Sequence, residues 1–178
     1  MKKILICLLL SILLLPSSSY LYANENTSPF SLSIVIPPSY DGSRQVSVEN
    51  KFSEFHVLLK NISGKPQRIW REWCSWGRHN LSFELTIEGE KMLITKTVIS
   101  YLKNYPDDEV IDPNEFVVFD VFIASGGWLN LPKIKEGQNR LMGELKAIYE
   151  IAPEAEAKEL GVWTGKIESA PVKVTVIK

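Results

Sequence analysis

Alternation of apolar and polar residues is the feature that most constrains how this chain can fold. It is strict in segments 30–36 and 81–87, where an apolar side chain recurs at every second position. A period of two over five or more residues is typical of a β-strand with one buried face. Six further candidate strands lie at 55–59, 91–99, 115–123, 141–151, 162–167 and 172–177.

Turn chemistry separates these segments. Segment 112–115 reads Asp-Pro-Asn-Glu, which places Asp and Pro at the first two positions of a type I turn. The one predicted helix is 153–160, which begins with Pro and is ended by Gly161. Eight short strands with little helix predict an all-β fold, a sandwich of two antiparallel sheets, with a closed barrel as the alternative.

The N-terminus has the layout of a secretory signal peptide. Two lysines precede an apolar run over residues 4–15, and small residues then lead to Ala23. The run is shorter than the ~20 residues that a spanning helix needs, so cleavage after Ala23 is favoured over a membrane anchor. We therefore predict a cleaved signal peptide at 1–23 and a single domain at 24–178.

Charge and composition exclude several classes of protein. The chain holds 20 basic and 21 acidic side chains, and it contains no basic tract. This balance argues against a nucleic-acid partner. Removal of the signal peptide, which carries two lysines and no acid, leaves a net charge of −3. No second long apolar stretch follows, so we expect no membrane span in the mature chain.

The tryptophan-rich run Trp70-Arg-Glu-Trp-Cys-Ser-Trp-Gly77 is the most distinctive stretch of the sequence. It is accompanied by shorter segments at 81–84, 103–106, 118–121 and 161–165, the last reading Gly-Val-Trp-Thr-Gly. Together these segments resemble a group of uncharacterised secreted bacterial proteins. The resemblance implies export and an immunoglobulin-like sandwich with at most one short helix. It brings no established activity, so no functional residue follows from it.

The candidate binding residues are Trp70, Arg71, Trp73, Trp76 and Arg78. If this stretch were one extended strand, Trp70 and Trp76 would share a face and Trp73 would lie on the other. One core can bury only one face, so we expect exposed indole with arginine beside it, a surface suited to a carbohydrate or protein partner. The alternative is a core tryptophan with two rim residues stacked against arginine.

Two metal-binding patterns have little support. His56, Cys74 and His79 include the Cys-x4-His spacing of some copper sites, but no methionine closely follows His79 to act as the axial ligand. The acidic segment 107–115 matches no calcium loop and is expected to be solvated surface. We therefore predict neither a metal nor a cofactor.

Catalytic motifs are also missing from the sequence. It contains no nucleophile elbow, no zinc-protease motif and no phosphate loop. We therefore predict a non-catalytic module in the periplasm or outside the cell, which binds an unknown protein or carbohydrate of the cell envelope. The alternative is a secreted sandwich-type peptidase inhibitor that acts through loops 100–114 or 124–132. Segment 61–66, Asn-x-Ser-x-Lys-Pro, is similar to the sandwich domains of a bacterial family of intracellular proteinase inhibitors.

Overall fold

The computed structural model describes residues 28–49, 54–101, 104–123 and 126–178. The predicted signal peptide lies outside these residues. Within them, no helix is both long enough and apolar enough to cross a membrane. The described chain forms β1 (Phe30–Val35), β2 (Gln45–Ser47), β3 (Glu54–Asn61), β4 (Gln67–Trp70), α1 (Ser75–Arg78), β5 (Leu81–Ile87), β6 (Glu90–Lys96), β7 (Asp108–Ile111), β8 (Phe116–Phe122), β9 (Trp128–Leu129), β10 (Arg140–Ile151), α2 (Ala155–Leu160), β11 (Gly165–Glu168) and β12 (Val172–Ile177).

Two sheets and a short ribbon contain these strands. The smaller sheet has the order β1-β3-β8, and all its pairs are antiparallel. The larger sheet has the order β2-β12-β10-β5-β6-β9, and β11 also pairs with the long strand β10. Its pairs are antiparallel except for β2 with β12, which run parallel. Strands β4 and β7 form a separate antiparallel ribbon.

Aromatic side chains fill the space between the two sheets. Phe55 of β3 meets Phe83 of β5 with ring centroids 5.5 Å apart, and Phe119 of β8 meets Tyr149 of β10 at the same separation. The alternation along β3 explains this arrangement, since Phe55, Val57 and Leu59 are buried and the residues between them face outward. These contacts confirm the all-β fold and the sandwich of antiparallel sheets.

A four-residue helix, α1, was not predicted from the sequence. The predicted helix does form as α2, and it ends at Gly161, whose φ of 66° is the left-handed conformation that glycine adopts readily. Strand β6 ends at Lys96 rather than at residue 99, after which the chain leaves the sheet in an irregular connection.

Candidate functional site

The tryptophan-rich segment is not one extended strand, since β4 ends at Trp70 and α1 begins at Ser75. The predicted division of Trp70 and Trp76 from Trp73 is nevertheless observed, but a turn and a helix produce it and not alternation along a strand. Strand β4 ends at Trp70, and the chain then coils back on itself. The amide of Cys74 donates to the carbonyl oxygen of Arg71 at 3.3 Å, and the amides of Gly77 and Arg78 donate to the carbonyl oxygen of Cys74 at 3.2 and 3.0 Å. These bonds form a turn at 71–74 and helix α1, and the turn decides where each indole points.

Two of the three tryptophans are structural. Trp70 is 2 % exposed and belongs to the core of the sandwich. Trp76 is partly buried against that core, and its ring centroid lies 6.2 Å from that of Trp70 with the planes at 44°. The two predicted binding residues therefore anchor the turn to the domain.

Trp73 is the exposed member of the set, with 46 % of its surface accessible. Its partner is Tyr105, which is 58 % exposed and was not among the predicted site residues. The ring centroids lie 5.1 Å apart and the planes cross at 72°, an edge-to-face arrangement. We call Trp73 and Tyr105 the aromatic pair. No signal close to Trp73 in the sequence could have identified Tyr105, because it lies in the distant connection between β6 and β7.

Hydrogen bonds fasten that connection to the turn. The amide of Ser75 donates to Asn104 Oδ1 at 3.1 Å, and Asn104 Nδ2 donates to Ser75 Oγ at 2.7 Å. Nearby, the amide of Arg71 donates to the carbonyl oxygen of Asp107 at 3.0 Å. The aromatic pair is thus presented by two backbone segments that are bonded to each other on both sides of it.

Carboxylates neutralise the arginines next to the pair. Arg71 Nε lies 3.3 Å from Asp107 Oδ2, and Arg71 Nη1 lies 3.9 Å from Glu109 Oε2. Arg68 Nη1 donates to Asp108 Oδ2 at 2.5 Å. Burial raises the pKa of the Glu109 carboxyl, and the charge of Arg71 opposes that rise. The site is therefore an aromatic surface with paired charges at its rim and not a cationic patch.

The acidic segment 107–115 was expected to be a solvated loop, and that expectation was wrong in its first part. Residues 108–111 form β7, which pairs with β4 through the register Trp70↔Asp108. Its carboxylates face the arginines of the neighbouring strand and turn, as the ion pairs above require. The last part does form a turn, since the amide of Glu115 donates to the carbonyl oxygen of Asp112 at 3.0 Å. Its type differs from the predicted type I, because Asn114 has a φ of 68°, which is typical of the third residue of a type II turn.

Arg78, the last residue of α1, connects this helix to the end of β6 in the larger sheet. Its Nε donates to the carbonyl oxygen of Thr97 at 3.3 Å, just beyond the end of β6. Lys96, the last residue of β6, is 8 % exposed and forms an ion pair with Glu72. Its ammonium also lies 5.6 Å from the ring centroid of Trp128. Arg78 therefore has a structural role, whereas Trp73 and Arg71 belong to the exposed surface.

The three residues considered for copper lie in different environments. Cys74 is fully buried, and its thiol donates to the carbonyl oxygen of Arg71 at 3.2 Å inside the turn. His56 is on β3 in the smaller sheet, where its Nδ1 lies 2.9 Å from Asp120 Oδ1. His79 follows α1, and its pKa is lowered by burial and by the charges of Arg78 and Lys96.

A separate groove of about 410 Å³ lies at the opposite end of β4. Trp163, Ser63 and Lys65 line it, and Trp163 packs edge-to-face on Phe30 with ring centroids 5.2 Å apart. Trp73 and Tyr105 line neither this groove nor the two others that the structure describes, beside α2 and beside β5 and β10.

The comparisons with known proteins find no match, either among protein-family models or among curated proteins.

Proposed function

We propose that this protein is a non-catalytic exported binding module that recognises a protein partner through the aromatic pair. The observation that carries the proposal is that Trp73 and Tyr105 are about half exposed although each has a large ring that could be buried. Tryptophan, tyrosine and arginine are the residues that most often dominate the binding energy of protein interfaces. Here Arg71 lies two residues before Trp73 in the chain, and its charge is already paired with Asp107.

The orientation of the rings favours a protein over a carbohydrate. Sugar rings stack on flat aromatic faces, whereas Trp73 and Tyr105 cross at 72° and form a corner. A corner of two rings fits an inserted side chain of a partner protein. The bonds between Ser75 and Asn104 hold this corner in place before binding, which lowers the entropy lost on association.

The test is a pull-down from the native cell envelope with three variants. We expect Trp73→Ala and Tyr105→Ala each to lower retention of the partner at least about tenfold, the loss of a strong interface residue. Tyr40→Ala is the matched control, because Tyr40 is a fully exposed tyrosine in a different part of the chain. Equal retention by all three variants would refute the proposal.

A glycan array run in parallel tests the carbohydrate alternative, and binding there that depends on Trp73 would replace the protein partner with a sugar.

The second candidate is a peptidase inhibitor, and one observation favours it. Val98 and Ile99 lie just before the predicted inhibitory loop 100–114, in an irregular segment after β6, with 84 % and 42 % of their surfaces exposed. An inhibitory loop needs an accessible segment of this kind to enter a peptidase cleft. A peptidase panel separates the two functions: inhibition that is lost in Val98→Glu and retained in Trp73→Ala supports the inhibitor, whereas no inhibition by the wild type excludes it for that panel.

A further inference from the structure

A second group of functional side chains lies on the smaller sheet, away from the aromatic pair. Glu54 and His56 are two residues apart on β3, so both face outward from the sandwich. Asp120 of β8 is directly opposite His56 in the antiparallel register. The sheet therefore brings one imidazole and two carboxylates to one patch of its outer face, although His56 and Asp120 are 64 residues apart in sequence.

The three ligand atoms are already close together. One nitrogen or oxygen from each side chain lies within 4.8 Å of the others, and His56 Nδ1 is 2.9 Å from Asp120 Oδ1. Because the residues stand on paired strands and not on a loop, their backbone positions are fixed by the sheet.

We propose that Glu54, His56 and Asp120 form a binding site for a divalent transition-metal ion such as Zn²⁺. Imidazole and carboxylate are ligands that Zn²⁺ accepts together, whereas Ca²⁺ and Mg²⁺ require oxygen ligands in larger number or with bound water. Two carboxylates also balance the charge of the ion. Three protein ligands leave one position of a tetrahedral site open, to water or to a group from a partner.

The neighbours of the cluster support this assignment. Phe122 lies opposite Glu54, and Leu58 follows two residues after His56 on the same face. Neither of these apolar side chains brings a positive charge to the patch, so neither competes with a cation there, although Phe122 is itself 43 % exposed. The side chains of His56 and Asp120 remain 36 % and 63 % exposed, so an ion reaches them without any opening of the sheet.

The experiment is a calorimetric titration of the chelator-treated protein with Zn²⁺. We expect one Zn²⁺ per chain and a loss of affinity of at least about tenfold in His56→Gln, with weaker binding also in Asp120→Asn and Glu54→Gln. His79→Gln is the matched control, because His79 is the other histidine of the sequence and lies next to α1. It should bind Zn²⁺ as the wild type does.

A second measurement requires no variant. In the wild type, Zn²⁺ should shift the NMR signals of the His56 ring and leave those of His79 in place, and excess Mg²⁺ should not reproduce the shift.

Circular dichroism of the metal-free variants checks that each is folded. Failure of the wild type to bind Zn²⁺, equal binding by His56→Gln, or the same loss in His79→Gln would each overturn the assignment. None of these outcomes bears on the aromatic pair.

Discussion

Gly77 of α1 packs directly against the backbone carbonyl of Arg71, at a separation that leaves no room for a side chain. A Cβ at this position would overlap the carbonyl oxygen and approach the amide nitrogen of Glu72 to 3.1 Å. This close approach closes the turn at 71–74 on which Trp73 stands. The geometry of the exposed surface therefore depends on a residue that takes no part in it.

Gly77→Ala should destabilise the domain and displace Trp73. The added Cβ meets backbone and not a flexible side chain, so the turn must open, at a cost of about 1–3 kcal/mol of unfolding free energy, as overpacking of a tight site does. Urea denaturation followed by tryptophan fluorescence measures the loss. Gly64→Ala is the control, because a Cβ there meets no atom within 4 Å and the φ of Gly64 is not positive. If the two variants are equally stable, Gly77 does not constrain the turn.

The tryptophans should separate into two classes on truncation. We expect Trp70→Ala to lose about 3–5 kcal/mol of unfolding free energy, because its indole is 2 % exposed in the core. Trp73→Ala should lose only about 1 kcal/mol, since its side chain is 46 % exposed and its ring partner Tyr105 is itself exposed. Thermal melts of the purified variants provide the comparison. A strong loss in Trp73→Ala would mean that the aromatic pair is structural and would remove the basis of the proposed binding surface.

Asn61 should be the most sensitive polar residue at the start of the β4–β7 ribbon. It is fully buried, and its Nδ2 donates to the carbonyl oxygens of Lys65 and Ile111 at 2.9 and 2.8 Å. Its Oδ1 accepts from the amide and the hydroxyl of Ser63. Asn61→Ala removes all four hydrogen bonds of this buried amide and should cost about 2–3 kcal/mol of unfolding free energy. Ser63→Ala, which removes fewer bonds at a less buried site, should cost less in the same urea titration, and the reverse order would contradict this account.

Stability should fall in acid in part through Glu168 of β11. Hydrogen bonds from Lys146, at 2.7 Å, and from Lys166, at 2.9 Å, lower the pKa of this carboxyl from 4.5 to about 2. The pKa of Glu168 is lower in the folded than in the unfolded chain, so its ionised form stabilises the fold. Its contribution to the free energy of unfolding is complete above the unfolded pKa of 4.5 and is lost as the pH falls towards 2. The side chain is 39 % exposed, so solvent screening keeps the effect small.

The measurement for Glu168 is the difference in urea midpoint between wild type and Glu168→Gln. This difference should be largest at about pH 6 and should shrink at about pH 2.5, where the carboxyl of the unfolded chain is already protonated and that of the folded chain begins to be. Glu136→Gln, a change in the exposed connection before β10, serves as the control for loss of a negative charge. A difference between wild type and Glu168→Gln that does not change with pH would show that the ion pairs with Lys146 and Lys166 contribute no stability.

The sequence by itself determined the strands that bury one face. β5 and β12 have the bounds that their apolar pattern predicted. In β5 the reason is burial of every second residue against the opposite sheet, which forces a period of two, whereas β12 buries three consecutive residues. It also determined the turn at 112–115 and the end of α2 at Gly161, since Pro and Gly act through their own backbone restrictions. Strands β2, β4, β7 and β9 were missed, because two to four residues are too few to display a period.

Only the tertiary structure decided which side chains meet at the functional surfaces. Trp73 faces Tyr105 because a turn, a short helix and a distant connection are hydrogen bonded together, and no local pattern encodes that contact. His56 faces Asp120 because β3 and β8 pair in one register among several that their alternation allows. Local sequence fixes backbone preference residue by residue, whereas the neighbours of an exposed side chain depend on the packing of the whole chain.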